Sequence, residues 1–183
     1  MAKPLGARLC QYQEEEILEE ILNQWEINKT FCDLGARLKG SNTGNLARNH
    51  GFKGVFCEAN PRNAKQIAQY FPDHTLFADY VTPFNVNEIV PDDCGVLSLD
   101  IDGNDYWVWG MLNKTPQVVI IEFGLRAQWW QIGDYDPASR KRKDVTSKTM
   151  MALLAKNKGY RFYKETGVNL VFVHKDVPLR TTT

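Results

Sequence analysis

Five apolar runs in this chain each stop at an acid: Phe31-Cys32-Asp33, Val55-Phe56-Cys57-Glu58, Leu76-Phe77-Ala78-Asp79, Leu97-Ser98-Leu99-Asp100 and Ile120-Ile121-Glu122. Acids are depleted inside strands, so five runs that all close on one describe a sheet with a polar edge lined by acceptors. Short apolar runs without alternation are the signature of strands buried on both faces, which is how parallel sheets sit in α/β proteins. Between the runs, helical patterns cover about 43–50, 61–70, 104–113 and 146–158. Strand–helix alternation of this kind implies right-handed crossovers and a parallel sheet. The end differs. Tyr160 to Lys164 and Asn169 to His174 flank Glu165-Thr166-Gly167-Val168, which predicts an antiparallel hairpin.

Upstream of the sheet, residues 11–25 read as an acidic amphipathic helix with Ile17, Leu18, Ile21 and Leu22 on one stripe, packed on the sheet. The chain has 183 residues, of which 43% are hydrophobic and 24% charged, enough for one domain with a sizeable core. Lys+Arg and Asp+Glu both number 22, so no global field favours nucleic acid or an anionic membrane. No apolar run approaches the roughly 20 residues that span a bilayer, and no signal-peptide core is evident. The cysteines at 10, 32, 57 and 94 show no C-x-x-C spacing and read as reduced, small hydrophobes, which places the expectation in the cytoplasm.

The first run continues into Gly35-Ala36 and then Gly40-Ser41-Asn42-Thr43. A strand, a glycine turn and a helix let backbone amides approach a nucleotide-like ligand, although neither G-x-G-x-x-G nor a P-loop is present. Ser41 or Thr43 can cap the following helix. Glu58 lies about 20 residues past the glycine turn, where nucleotide-binding α/β domains place the acid that accepts ribose hydroxyls. Asn60-Pro61 independently reads as an N-cap and first turn of the next helix. The segment Asp100-Ile101-Asp102-Gly103-Asn104-Asp105 brings three acids to the end of one strand. It is either a solvated turn or a ligand site, since such charges need partners once they lose water.

The order of DLGARLKGSNT, GVFCEANP, FADY, LSLDIDGNDYWVW, VVIIEFG and KGYRFYKETGVNLVFVHKD resembles class I S-adenosylmethionine-dependent methyltransferases, in particular FkbM-like and related methyltransferase-like proteins. The resemblance covers residues 28 to 176. It implies an α/β fold: a single Rossmann-like domain over 28–183, with a mostly parallel seven-stranded sheet, a C-terminal antiparallel hairpin and helices on both faces. Residues 1–27 would form a helical extension packed on it. It also implies that S-adenosylmethionine binds at Asp33 and Gly35, that Glu58 holds the ribose with Ala59 and Asn60 beside it, and that Asp79 and Tyr80 face the adenine. Asp100 and Asp102 would sit beside methionine and substrate, with Asp100 also touching cofactor. One departure is that Arg37, Leu38 and Lys39 fill a loop the family commonly makes richer in glycine.

The acceptor side draws on Asn104, Asp105, Glu122, Trp129 and Trp130. The long segment Leu125 to Val145 follows a strand end and should overhang the ligand edge as a mobile cover. Its tryptophans could face a sugar and its run Arg140-Lys141-Arg142-Lys143 a phosphate or nucleic acid, but four bases make nucleic acid a poor fit. The tryptophans could also meet a second subunit, giving a homo-oligomer. Of Trp107 and its neighbours, core packing is the expected role of Trp107. Methyl transfer is an in-line displacement in which the protein positions the nucleophile and takes its proton. Asp100 or Asp102 would be the base, acting on the hydroxyl of a small molecule or glycan. Oxygen ligands from Asp100, Asp102, Asn104 and Asp105 would alternatively suit magnesium; the metal-free version is preferred because adjacent ligands alternate in direction and cannot all converge. A non-catalytic binding or structural protein with this fold, or other chemistry on the same cofactor, stays open.

Overall fold

The computed structural model describes Cys10, residues 13–137 and residues 146–181. The elements in chain order are α1 (Glu14–Gln24), β1 (Thr30–Leu34), α2 (Gly44–Asn49), β2 (Lys53–Cys57), α3 (Pro61–Tyr70), β3 (Thr75–Phe77), α4 (Val86–Ile89), β4 (Val96–Leu99), α5 (Asp105–Met111), β5 (Val118–Glu122), α6 (Lys148–Asn157), β6 (Tyr160–Glu165) and β7 (Asn169–His174). One seven-stranded sheet runs in the order β3-β2-β1-β4-β5-β7-β6. The first five strands pair in parallel. β7 lies antiparallel between β5 and β6, so the predicted hairpin closes the sheet by inserting its second strand.

Alternation along each strand divides the core into two layers. Cys32, Leu34, Leu97, Leu99, Val119 and Ile121 face a layer shared with Val108, Trp109 and Leu112 around α5 and with Met151 and Ala155 of α6. Phe31, Val96, Val118 and Ile120 face the other, shared with Ile17, Leu18 and Ile21 of α1, Leu46 of α2 and Ile67 of α3. Helices therefore cover both faces. α1 is bound into this core and is also tied by its buried Glu14, whose carboxylate accepts from Thr166 Oγ1 at 2.9 Å and Asn169 Nδ2 at 3.0 Å in the β6–β7 turn. Asn60 caps α3, its side chain accepting the Arg62 N–H, with Pro61 in the first turn.

The short α4 has too few residues to show a helical period in the sequence. One expectation needs correction. Trp107 is not core: it is 37% exposed, whereas Trp109 is fully buried against Tyr160 and Phe172. The phase of α5 decides this. Val108, Trp109 and the following Leu112 form its inward stripe, which turns residue 107 outward. All four cysteines are free and buried. Among the described residues, no helix is long and apolar enough to cross a membrane.

Candidate functional site

Parallel strands carry their carboxyl ends to one edge, and here that edge holds two adjoining cavities. The first, about 360 Å³, is lined by Gly35 after β1, by Glu58, Ala59 and Asn60 after β2, by Asp79 and Tyr80 after β3, and by Asp100, Ile101 and Asp102 after β4. Arg37, Cys57, Asn63 and Val81 complete it. The second, about 320 Å³, shares Gly35, Arg37 and Asp100 and extends to Cys10, Asp33, Lys39, Gly40, Ser41, Asn42 and Ser98.

The floor depends on a close approach of two chain segments. Gly35 has φ +87°, and a Cβ there would overlap the carbonyl oxygen of Asp100. The N–H groups of Gly35 and Ala36 both donate to the Cys57 carbonyl, at 3.0 and 2.8 Å, and Asp100 N–H donates to the Leu34 carbonyl at 2.9 Å. The turn after β1 is thus fastened to its neighbours on both sides.

Asp33 lies one residue inside β1 rather than at its tip, on the same face as Phe31. It is buried and accepts from Ser41 Oγ at 2.7 Å and Thr43 Oγ1 at 2.8 Å, which fixes the loop leading into α2. Burial pushes its carboxyl above the usual range, and the Ser41 and Thr43 hydroxyls pull against that shift. Ser41 Oγ also accepts the Gly44 N–H at 2.9 Å, while the N-cap residue of α2 is Thr43, whose side chain makes no capping bond, so neither residue caps the helix as expected. Glu58 points along the start of α3, accepting from Asn60 N–H at 2.6 Å and Asn63 Nδ2 at 3.4 Å. Asp79 accepts from the Tyr80 N–H at 2.7 Å.

Beyond β4 the acids separate into two groups. Asp100, Asp102 and Glu122 each offer an oxygen within 4.8 Å of the others. Asp102 sits at φ 60° and accepts from Arg37 Nη2 at 3.1 Å. These three could hold a divalent cation, but Arg37 already occupies one Asp102 oxygen, and the set differs from the one read in the sequence. Asp105 and Asn104 turn inward. Asp105 is buried and receives Ile101 N–H and Gly103 N–H, both at 3.0 Å, one on each oxygen. Burial raises its pKa to about 7 against the pull of those two N–H groups. Asn104 spends its amide on the backbone of Asp136, donating at 2.8 Å and accepting at 3.1 Å. Neither lines a cavity described above; both shape the loops that do.

The described part of the segment after β5, residues 125–137, is fastened to the body. Besides the Asn104–Asp136 pair, Trp107 Nε1 donates to the Gly133 carbonyl at 2.7 Å, and Ser147 Oγ donates to the Trp129 carbonyl at 2.8 Å. Tyr135 meets Phe84, which precedes α4, edge to face at 6.3 Å. Trp129 and Trp130 stand 71% and 57% exposed. The run Arg140 to Lys143 lies outside the described residues.

Among the residues lining the first cavity, Arg37, Cys57, Asn63, Val81 and Ile101 were not anticipated as contacts. Asn63 could have been found from helical phase, three residues after Asn60 at the head of α3. Arg37 carried no positional signal, because nothing local shows which way an arginine in a loop turns.

No protein-family model and no curated protein matches the sequence. In three dimensions the chain is similar to solved class I S-adenosylmethionine-dependent methyltransferases. The 1,6-didemethyltoxoflavin-N1-methyltransferase of Burkholderia thailandensis, solved with 1,6-didemethyltoxoflavin and S-adenosylhomocysteine, matches 89% of this chain and 76% of its own at TM-score 0.58 and 10% identity. A methyltransferase from Aquifex aeolicus matches 96% of this chain and 93% of its own at TM-score 0.54 and 13% identity. A TehB-like methyltransferase from Corynebacterium glutamicum matches 90% and 88% at TM-score 0.53 and 13% identity. The chain has the Rossmann-like methyltransferase fold.

Proposed function

We propose that this chain is a methyltransferase that binds S-adenosylmethionine in the first cavity and methylates a hydroxyl of a small molecule or glycan. The observation that carries this reading is the convergence of the Gly35 turn, Glu58, Asp79 and the Asp100–Asp102 loop on a single cavity at the carboxyl edge of the sheet. Open α/β sheets bind ligands at that edge. Glu58 ends β2 and would take the ribose hydroxyls; Asp79 and Tyr80 would face the adenine; Gly35 and Asp100 would border the methionine portion. Asp33 would act from behind, holding the loop that frames the second cavity. The FkbM-like resemblance rests on sequence motifs and is part of the proposal.

When bound, S-adenosylmethionine supplies an electrophilic methyl group on a sulfonium. The chain's own residues then hold the acceptor and take its proton. Asp102 is the base in this proposal, with Asp100 beside it bordering the cofactor. Asp102 is half-exposed at the cavity mouth, within reach of a hydroxyl entering from solvent. Trp129 and Trp130, exposed beyond β5, offer flat apolar faces for a sugar or ring. Asn104 and Asp105 contribute by shaping the acceptor wall and the Asp102 loop, and Glu122 adds to the negative field around the acceptor. In this proposal the base acts without a metal, and in the free protein Arg37 is the counter-charge of Asp102.

Glu58→Ala should weaken S-adenosylhomocysteine binding by about 1.5–3 kcal/mol, the range for a charge-assisted hydrogen bond. Calorimetry on a variant whose circular dichroism matches the wild type measures this. Unchanged affinity would remove Glu58 from the ribose and with it the proposed cofactor orientation.

A further inference from the structure

Arg37 is the one cation among the described residues lining the first cavity, against the four acids Glu58, Asp79, Asp100 and Asp102. Its Nη2 is held by Asp102 at 3.1 Å, and both side chains are about half-exposed. It also borders the second cavity, so it stands where the two meet. Any ligand that carries a carboxylate into the first cavity meets repulsion from four sides and one guanidinium, already engaged. A planar guanidinium matches a carboxylate in a two-pronged geometry, whereas the present contact to Asp102 is a single bond. Half-exposed ion pairs are weak and easily exchanged.

We propose, building on the cofactor reading above, that Arg37 receives the carboxylate of the cofactor's amino-acid end by leaving Asp102. Cofactor binding and release of Asp102 are then one event. The acid that faces the acceptor is masked by Arg37 in the free protein and becomes available as a proton acceptor once cofactor is in place. The loop residues Arg37 and Asp102 follow β1 and β4, which are adjacent strands.

Calorimetry with two probes tests this: S-adenosylhomocysteine, and 5′-methylthioadenosine, the same thionucleoside without the amino-acid end. The wild type should bind S-adenosylhomocysteine tighter by about ten-fold or more, as a charge-assisted contact requires. Arg37→Ala should lose most of that preference while keeping its affinity for 5′-methylthioadenosine within about two-fold. Asp102→Asn, which frees Arg37 in advance, should bind S-adenosylhomocysteine about two- to five-fold tighter, the yield of removing a weak competing pair. An Arg37→Ala variant that keeps the preference, or loses both probes, overturns the carboxylate contact. An Asp102→Asn variant with unchanged or weaker S-adenosylhomocysteine binding overturns the exchange. Failure of the wild type to bind either probe would instead strike the cofactor reading itself.

Discussion

Gly35→Ala should destabilise the fold by about 3–5 kcal/mol and weaken S-adenosylhomocysteine binding by more than ten-fold. Two costs add. An L-residue held at φ +87° carries strain of about 1–2 kcal/mol. The new methyl group must also displace the carbonyl of Asp100, which is backbone and pinned, since Asp100 N–H is bonded to the Leu34 carbonyl. Relief would have to come from parting the ends of β1 and β4, which opens the cavity floor and moves Asp100 and Asp102 together. Few substitutions of one methyl group exceed 4 kcal/mol, and those that do break a specific geometry of this kind. Urea denaturation gives the stability and calorimetry the affinity. A loss below about 1 kcal/mol would mean that the two turns are not in contact as described.

The second large effect is a pH dependence. Asp105 titrates at about 7 because burial disfavours its charge, whereas the unfolded chain releases the same proton near the ordinary carboxylate value of about 3.9. Between those values the folded chain holds the extra proton. The contribution of Asp105 is therefore full below about pH 4 and is lost as pH rises through about 7. Compared with Asp105→Asn, the wild type should lose about 2–3 kcal/mol of stability between pH 5 and pH 8. The variant also faces an amide N–H₂ towards Ile101 N–H or Gly103 N–H, but that cost does not vary with pH. Burial lowers the pKa of His74, so its own contribution falls as pH drops; it is common to both proteins and cancels in the difference. Chemical denaturation of both proteins across that range decides it, and parallel profiles would contradict a raised Asp105.

Most of the sheet was legible because a two-sided core writes itself into each strand. Val118 to Ile121 are all fully buried, and no polar residue interrupts them to blur the boundaries. The cavity walls Glu58–Asn60, Asp79–Tyr80 and Asp100–Asp102 were legible for a related reason: each follows a strand, and parallel pairing brings all such positions to one edge. Direction within the edge was harder. Period-two alternation puts Asp33 on the face of Phe31, and its hydroxyl partners Ser41 and Thr43 lie in the loop leading into α2. Asn104 and Asp105 carry the same residue types as a ligand site, yet their partners are the Asp136 backbone, 32 positions away, and two neighbouring N–H groups. Long-range pairing of this kind leaves no local trace. The Arg37–Asp102 pair spans 65 positions and was equally silent, although both residues stood out singly.

The proposed function turns on one measurement: titration of the wild-type protein with S-adenosylmethionine and with S-adenosylhomocysteine by calorimetry. A methyltransferase site predicts that both bind at one site per chain, with dissociation constants on the order of 1 μM to 1 mM, as for working substrates. Absence of heat and of any thermal stabilisation with either compound, at concentrations covering that range, would contradict it.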